Sequence, residues 1–387
     1  MSSNIRRESV KRGIDPRQVF DRDTDLWVLA ATLFACARLA MVLPRSAVSE
    51  IPEAAPRRLV AVVVTYNRLD KLQDTLARFL SSPPAHLERI VVIDNASTDG
   101  TAQWLAAQDD PRLVVERLPE NRGGAGGFEA GMRFAVDRFD PDWLVLSDDD
   151  GRPEPGALAA FHAADLAGWD AVAAAVYFPG GAICDINRPW RNPFWHPRVF
   201  FGTALGVFSL GLLGRSRDAF HVVQADYEGD TPKAMDGASF VGLFLSRNAV
   251  ARTGYPDPGL YIYGDDVDYT LRLRRAGGRM AFWPGIRFEH DFSTFQTGAR
   301  RFRPLWKTYY HHRNLLIVYR QAAGLWFWPI LLLVLPKWLL RTRDHTGEQG
   351  TFLRLLGLAI WHGLRRVKTV PHARILTLSE PSAVEDR

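Results

Sequence analysis

The chain has 387 residues, of which 47% are hydrophobic and 24% are charged, so it can bury a large core and is not intrinsically disordered. Its formal net charge of +5 suits anionic partners such as nucleotides, nucleic acid or a membrane surface. The two cysteines, Cys36 and Cys184, are too few for a disulfide framework or a cysteine-based zinc site, and they fit a reducing compartment.

Composition divides the chain into three units. Residues 1–57 are predicted to form an N-terminal appendage that ends in the linker-like run SEIPEAAPRR. Residues 58–320 carry alternating strand and helix patterns and are predicted to form the main domain. Residues 321–387 contain apolar and amphipathic segments, which predict C-terminal helices that associate with a membrane.

Apolar β-branched runs alternate with helical stripes from Leu59 onward. The runs LVAVVVT, RIVVID, RLVVER and WLVLS predict four buried strands, and apolar residues at helical spacing predict helices over 68–80 and 128–139. This alternation predicts an α/β fold with a mainly parallel sheet and helices on both faces. Further along, RMAFWPGIRFEHDF predicts a pair of strands that ends at His290, and YYHHRN opens the C-terminal helices.

Polar motifs stand where the predicted strands end or the next helices begin. Because ligands of such sheets bind beyond the carboxyl ends of the strands, these motifs are expected to line one crevice. The motifs are Thr65–Arg68, Asp94–Asn95, Asn121–Gly127 and Asp148–Asp150.

The acidic run after the fourth strand predicts a metal site. Alternate side chains of a strand face the same way, so Asp148 and Asp150 can converge while Asp149 points elsewhere. Two converging carboxylates repel each other unless a cation lies between them, and Mn²⁺ or Mg²⁺ prefers such oxygen ligands. His290, at the end of a predicted strand, is either a structural residue or a third metal ligand.

The glycine-rich run NRGGAGGF has two interpretations. It does not match the dinucleotide pattern G-x-G-x-x-G, because Glu129 stands where the third glycine is required, and it lacks the lysine of a P-loop. Glycines before a helix allow the backbone to approach an anion closely, so Gly123 and Gly124 are candidate substrate contacts. A tight packing turn between helix and sheet is the other interpretation, and it is compatible with the first.

A second acidic cluster follows the run YIYG. A carboxylate in a pocket can accept a proton from an incoming hydroxyl, and Asp266 is the candidate base. Asp265 and Asp268 are candidates for helix capping or for contact with a sugar.

The order of these motifs resembles family 2 nucleotide-sugar transferases of the GT-A type. TYNR, VIDN, NRGGAGGF, DDDGRPEP, GDD, a later histidine and YYHHRN follow one another over roughly residues 59–320. More narrowly, the combination resembles bacterial galactofuranosyltransferases that extend cell-wall galactan, and their rhamnosyltransferase relatives. The resemblance implies a GT-A fold.

The resemblance also implies roles for individual residues. Asp148, Asp150 and His290 would bind the metal, and Asp266 would be the catalytic base. Arg68 would contact the diphosphate, and Asp94 and Asn95 the nucleoside. The full set of implied substrate contacts is Thr65, Arg68, Asp94, Asn95, Asn121, Gly123, Gly124, Asp149 and Asp265.

Some features depart from the family pattern. Only 58 residues precede the first strand, whereas large polymerising members carry a long N-terminal β domain. Arg122 replaces the more usual leucine of NLGG, and Ser293 replaces an aromatic residue that often follows the metal histidine. These departures concern the acceptor and processivity rather than the donor and metal positions.

The resemblance implies an inverting transfer, with UDP-galactofuranose as the best-supported donor and a lipid-linked glycan as acceptor. The alternatives are a rhamnosyltransferase that uses dTDP-rhamnose and an inactive membrane-bound scaffold of the same fold. The apolar run 324–340 and the amphipathic run TFLRLLGLAIWHGLRRVK predict peripheral attachment to the cytoplasmic face of a bacterial membrane. A nucleic-acid partner is not expected, because the aromatic residues gather in apolar stretches.

Overall fold

A computed structural model of the chain describes residues 57–208, 218–291 and 301–380. The predicted N-terminal appendage up to residue 56 and the departure at Ser293 lie outside the described residues. Both the candidate metal residues and the candidate base lie within them.

The first half of the sheet is the predicted alternation of strands and helices. Strand β1 pairs in parallel with β2 and with β4, and β2 pairs in parallel with β3. All four strands predicted from the apolar runs are confirmed. The elements are β1 (Leu59–Thr65), α1 (Leu69–Leu80), β2 (Arg89–Asp94), α2 (Thr101–Ala106), β3 (Leu113–Arg117), α3 (Gly123–Phe139) and β4 (Trp143–Asp148).

The second half makes the sheet mixed. Its elements are β5 (Gly151–Pro153), α4 (Ala157–Ala163), β6 (Ala171–Tyr177), α5 (Pro197–Phe208), α6 (Gln224–Tyr227), β7 (Lys233–Met235), β8 (Leu243–Ser246), α7 (Arg247–Thr253), α8 (Asp265–Arg275) and β9 (Met280–His290). Within the described residues the strands run in the order β3-β2-β1-β4-β8-β6-β9-β5, and β7 also pairs with β9. Strand β8 is antiparallel to both β4 and β6, so the parallel part ends at β4.

Two apolar layers cover the faces of this sheet. On one face, Val62 and Val64 of β1 pack with Phe128 and Met132 of α3. On the other, Val63 packs in a cluster with the buried stripe of α1 and with α4. The alternation of β1 side chains therefore puts helices on both faces, and the predicted α/β class is confirmed.

The run RMAFWPGIRFEHDF forms one strand, so the predicted strand pair is wrong. Strand β9 stays parallel to β6, and its pairing shifts from Ala174 with Trp283 to Ala175 with Arg287. The skipped residues include Pro284, which has no backbone N–H to donate to the ladder. The chain bulges there and continues in the same direction, which carries His290 to the same edge of the sheet as the end of β4.

Four helices follow the sheet, namely α9 (Lys307–Ala323), α10 (Phe327–Leu340), α11 (Gln349–Arg365) and α12 (His372–Ser379). The apolar stripe of α11 is buried in one cluster with Leu316 and Tyr319 of α9. Gly363 allows this approach, since a Cβ there would lie 2.9 Å from the Arg313 carbonyl oxygen. The interpretation of this amphipathic run as a helix lying on a membrane is therefore corrected, because its apolar stripe packs inside the protein.

Helix α10 and the 3-10 turn before it, Gly324–Trp326, expose apolar side chains. Leu325 of that turn and Trp328 and Leu332 of α10 are 91%, 54% and 75% exposed, and they recur at the spacing of one helical stripe. Leu353 and Trp361 of α11 are also exposed. Within the described residues, one helical segment, Lys307–Asp344, is long and apolar enough to cross a membrane by length and composition alone.

Candidate active site

Asp148, Asp150 and His290 meet at one edge of the sheet. Asp148 ends β4, and Asp150 precedes β5, in which Gly151 pairs with His290 at the end of β9. One potential ligand atom from each of the three residues lies within 4.8 Å of the other two. Strand pairing thus brings together residues that are 140 positions apart in the sequence.

The electrostatics of this cluster favour a cation. Burial and the neighbouring Asp150 carboxylate raise the pKa of Asp148 to about 8. Burial acts in the same direction on Asp150, but hydrogen bonds and charges from His290 and Arg68 outweigh it and hold the pKa of Asp150 below its usual value. A divalent cation would relieve the repulsion that keeps Asp148 protonated. Two carboxylates and one imidazole therefore fit Mn²⁺ or Mg²⁺.

Asn187 orients the imidazole of His290, a role that no sequence motif indicates. The Nδ1 atom of His290 lies 2.8 Å from Oδ1 of Asn187, and its Nε2 lies 3.1 Å from Oδ1 of Asp150. The thiol of Cys184, whose pKa burial raises to about 12, also donates to Oδ1 of Asn187. An oxygen that accepts both bonds keeps a proton on Nδ1 of His290 and turns Nε2 toward Asp150, so that Nε2 would be the nitrogen that binds a metal after losing its own proton.

Arg68 and Thr65 hold the middle aspartate of the acidic run. Thr65 Oγ1 donates to Asp149 at 2.8 Å, and Arg68 contacts Asp149 at 3.1 Å and Asp150 at 2.7 Å. Asp149 is thus held by Thr65 and Arg68, in the turn that follows β4. The predicted substrate contacts Thr65 and Asp149 are engaged with each other, whereas Arg68 stays close to the metal cluster.

Asn95 and Asn121 brace the start of the glycine-rich helix α3. Asn95 accepts from the Arg122 N–H and donates to the Gly123 carbonyl oxygen, both at 2.9 Å. Asn121 Oδ1 accepts from the Gly123 N–H at 2.8 Å. Arg122 itself pairs with Glu129 at 3.3 Å. Both asparagines therefore shape the loop, and the side chain of Asn95 is buried behind it.

Close packing explains most of the glycines. Gly123 has φ +70°, and a Cβ there would overlap the carbonyl oxygen of Tyr261. At Gly127 and Gly131 a Cβ would overlap Val64 and Val62 of β1. The packing interpretation therefore accounts for these positions. By contrast, a Cβ at Gly124 meets no atom within 4 Å, so this glycine faces open space at the helix N-terminus.

Asp94 lies at the end of β2 and is fully buried. Its Oδ1 accepts from the Ser97 N–H at 2.8 Å, and its Oδ2 lies 3.3 Å from Arg117 Nε. The carboxylate thus shapes the turn after β2, at the same edge of the sheet as Thr65 and Asp148.

The second acidic cluster forms the first turn of α8. Asp268 pairs with Arg272 at 2.8 Å and is thereby engaged in the helix itself. Burial and Asp266 raise the pKa of Asp265 to about 8, and burial raises that of Asp266 to about 6. The Val267 N–H donates to Oδ1 of Asp266 at 2.7 Å. A carboxylate with a pKa near neutrality is suited to proton transfer.

A cavity of about 260 Å³ adjoins this turn. Gly264 and Val267, on either side of Asp266 in the chain, contribute to its wall. The rest of the lining is mainly apolar and aromatic, and it includes Trp190, Phe220, Tyr263, His311 and Leu315. The turn that carries the candidate base thus adjoins the aromatic cavity, and Asp265 of the same turn lies close enough to Asp148 to contribute to its raised pKa.

Residues 60–218 match the family model described as glycosyl transferase family 2. The chain carries a family 2 glycosyltransferase domain. The predicted resemblance is therefore confirmed, and the α/β architecture with its acidic cluster at the strand ends is the GT-A arrangement that it implied.

Curated relatives include more than one kind of glycosyltransferase. The chain is 29% identical to the undecaprenyl-phosphate mannosyltransferase of Micrococcus luteus over 59% of its own length and 82% of that protein. It is 28% identical to galactofuranosyltransferase GlfT1 of Mycolicibacterium smegmatis and 30% identical to that of Mycobacterium tuberculosis, over 56% of its length in each case. It spans 65% and 64% of those two proteins.

Two solved structures are similar in fold. The mannosyltransferase PcManGT from Pyrobaculum calidifontis, in complex with GDP-Man and Mn²⁺, has a TM-score of 0.44 and 18% identity over 85% of this chain and 82% of that chain. GalNAc-T7 with UDP, GalNAc and Mn²⁺ has a TM-score of 0.45 and 13% identity over 67% of this chain and 51% of that chain. Similarity at this level says nothing about the substrates of this protein.

Proposed function

We propose that this protein is a metal-dependent inverting glycosyltransferase that transfers galactofuranose from UDP-galactofuranose to a lipid-linked glycan. The observation that carries the proposal is the convergence of Asp148, Asp150 and His290 beside the first turn of α8, within a family 2 domain. The similarity to galactofuranosyltransferases supports the choice of donor.

Asp148, Asp150 and His290 would hold Mn²⁺ or Mg²⁺, which would neutralise the charge that develops on the departing diphosphate. Asp266 would take the proton of the acceptor hydroxyl while that oxygen attacks the anomeric carbon. Its pKa of about 6 makes it a carboxylate at neutral pH, as a base must be. Arg68, next to the cluster, would contact the diphosphate together with the N-terminus of α3 at Gly124.

The aromatic cavity beside Asp266 is the proposed site of the acceptor sugar. Its volume of about 260 Å³ is smaller than the roughly 300 Å³ at which drug-sized pockets begin, so it suits one ring rather than a long chain. Trp190 and Tyr263 are among its lining residues. An acceptor held there would lie next to the turn that carries Asp266.

The exposed face of α10 supports the proposed peripheral attachment to the cytoplasmic side of the membrane. Leu325, Trp328 and Leu332 present apolar surface, and Leu339 and Leu340 are also more than half exposed. A tryptophan among leucines on one helical face is typical of an interfacial helix. Such attachment would bring the enzyme to a lipid-linked acceptor.

A second donor class is favoured by one comparison. The similarity to the undecaprenyl-phosphate mannosyltransferase extends over 82% of that protein, which supports GDP-mannose and a polyprenyl phosphate as an alternative pair. The rhamnosyltransferase with dTDP-rhamnose and the inactive scaffold stay further alternatives, although the intact metal cluster and base speak against a scaffold.

A donor screen tests the proposal. The purified full-length chain is incubated with Mn²⁺ and each of UDP-galactofuranose, UDP-galactopyranose, dTDP-rhamnose and GDP-mannose, and release of the nucleotide product is measured. We expect UDP-galactofuranose to be preferred and EDTA to stop its turnover until Mn²⁺ or Mg²⁺ is restored. Preference for another donor would reassign the substrate, and full activity after metal removal would contradict the metal-dependent mechanism.

A further inference from the structure

The YYHHRN segment of α9 carries a buried asparagine that the proposed chemistry does not use. Asn314 is 1% exposed, and its Nδ2 lies 2.9, 2.9 and 2.8 Å from the carbonyl oxygens of Leu260, Ile262 and Tyr263. Those carbonyls belong to the loop that leads directly into α8. One amide nitrogen thus contacts three carbonyl oxygens of the loop before the candidate base.

Arg313 completes this arrangement from the same helix. It is fully buried, its Nε donates to Oδ1 of Asn314 at 2.8 Å, and its Nη2 donates to the carbonyl oxygens of Gly259 and Leu260 at 2.7 and 2.9 Å. The guanidinium also lies 5.2 and 5.0 Å from the ring centroids of Tyr309 and Tyr310. Since Arg313 fixes the orientation of the Asn314 amide, the two residues act as one brace.

The loop held by Asn314 and Arg313 has an energetically unfavourable backbone conformation at two positions. Tyr261 has φ +67° and Tyr263 has φ +70°, a region that side chains with a Cβ rarely adopt. Such conformations persist only where the surroundings over-determine them, and they concentrate at functional sites. Gly264 follows with φ +77° as the N-cap of α8, so the position of Asp266 depends on this loop.

The same loop contacts both the glycine-rich helix and the C-terminal helices. The Ala125 N–H donates to the Tyr261 carbonyl oxygen at 3.1 Å. From the other side, the His372 ring of α12 stacks on the Tyr261 ring with centroids 4.3 Å apart, and Lys368 forms an ion pair with Asp257. The loop therefore lies between the sugar-nucleotide side of the site and the helices that carry the exposed apolar face.

We propose that Asn314, held in place by Arg313, is a positioning residue for Asp266, and that this brace makes the geometry of the base depend on the C-terminal helices. The inference rests on the proposed role of Asp266. It assigns a function to the RN of YYHHRN, which neither the metal cluster nor the donor contacts use.

The Asn314→Ala variant tests the inference kinetically. With UDP-galactofuranose and saturating Mn²⁺, we expect kcat to fall at least tenfold, while the donor KM changes less than threefold and the Mn²⁺ affinity stays within twofold of wild type. A KM-against-kcat split of this kind separates a displaced base from a general loss of structure. Arg112→Ala is the control, because Arg112 also donates to two carbonyl oxygens, those of Leu80 and Ser82, far from the site.

Hydrogen–deuterium exchange gives a readout that is independent of activity. In Asn314→Ala we expect the amides of residues 259–266 to exchange at least tenfold faster, with β1 unchanged. If Asn314→Ala does not fold, Lys368→Ala removes a peripheral contact of the same loop, and we expect the same pattern with a twofold to fivefold fall in kcat.

Two results would overturn the inference. The first is a kcat of Asn314→Ala within twofold of wild type, and the second is unchanged hydrogen–deuterium exchange over residues 259–266. If Asn314→Ala does not fold, the same two results in Lys368→Ala would overturn the inference. A wild-type protein that transfers no sugar from any donor would instead overturn the proposed function, so the two failures are distinguishable.

Discussion

The Nδ1 atom of His290 lies 2.8 Å from Oδ1 of Asn187, although 103 residues separate them in the chain. This contact decides which imidazole nitrogen faces the two aspartates. Since Nδ1 donates to Asn187, Nε2 is directed to the acidic cluster and would be the nitrogen that binds a metal.

Replacing Asn187 is expected to weaken metal binding. Asn187→Ala removes the acceptor for Nδ1–H, and loss of such an outer partner typically costs about 10- to 100-fold in metal affinity. Asn187→Asp retains an acceptor oxygen and is expected to stay closer to wild type. Titration of Mn²⁺ followed by electron paramagnetic resonance measures both. Equal Mn²⁺ affinity in the alanine variant and wild type would contradict the role of Asn187.

Substitutions of Asp266 and Asp150 are expected to reduce activity for different reasons. Asp266→Asn removes a proton acceptor without changing shape, so transfer should fall by roughly 10²- to 10⁴-fold while Mn²⁺ affinity is retained. Asp150→Asn should lose Mn²⁺ binding together with activity. Turnover and Mn²⁺ titration are measured on both variants, with thermal unfolding as a control for folding. Wild-type turnover in Asp266→Asn would exclude it as the base.

The pH dependence of the reaction should follow the ionisation of the Asp266 carboxyl group. Burial raises its pKa to about 6, so the group is neutral below that pH and cannot accept a proton, whereas above it the carboxylate is available. We therefore expect kcat/KM to fall about tenfold per pH unit below pH 6 and to level off above it. Mn²⁺ affinity is measured at each pH, since loss of metal at low pH would lower kcat/KM in a similar way. A flat profile between pH 5 and 7 at constant metal occupancy would contradict the assignment.

Alanine substitutions of the neighbouring Gly123 and Gly124 separate the packing role of the glycine-rich loop from its role in substrate binding. Gly123→Ala places a Cβ against Tyr261 at φ +70°, and we expect it to lower the free energy of unfolding by about 1–3 kcal/mol. Gly124→Ala meets no neighbour, so its thermal stability should stay near wild type while the donor KM rises. Thermal unfolding and donor kinetics test both. An unchanged donor KM in Gly124→Ala would remove Gly124 from the predicted substrate contacts.

The exposed face of α10 should control membrane binding. Replacing Leu325, Trp328 and Leu332 by serine removes apolar surface that is more than half exposed, and we expect binding to anionic phospholipid vesicles to weaken at least about tenfold. Vesicle co-sedimentation measures this. Val115→Ser, an exposed apolar residue on β3, is the control. Co-sedimentation that equals wild type in the triple variant would exclude α10 as the attachment site.

Much of the parallel half of the fold could be predicted, because buried strands and helix stripes are local patterns. The β-branched run of β1 and the apolar stripe of α1 are each recognisable within a dozen residues. The second half of the sheet was harder to predict from the sequence. Pro284 separates two apolar runs in the sequence, yet both belong to β9, since parallel pairing with β6 continues across the bulge. The stripe of α11 likewise suggests a membrane face by its sequence pattern, because its partner, α9, ends 26 positions before α11 begins.

The sequence by itself determined the family that this chain resembles and the residues that are candidates for its site. The order of TYNR, the acidic run, GDD and the later histidine resembles family 2 transferases, and each motif stands at a predicted strand end or helix start. Tertiary structure alone decided how those groups are oriented. The bond from His290 to Asn187 and the brace from Asn314 to the loop before Asp266 join residues about 50 to 100 positions apart. Such contacts arise only when the strands pair and α9 packs against α8 and the loop before it, so no local pattern records them.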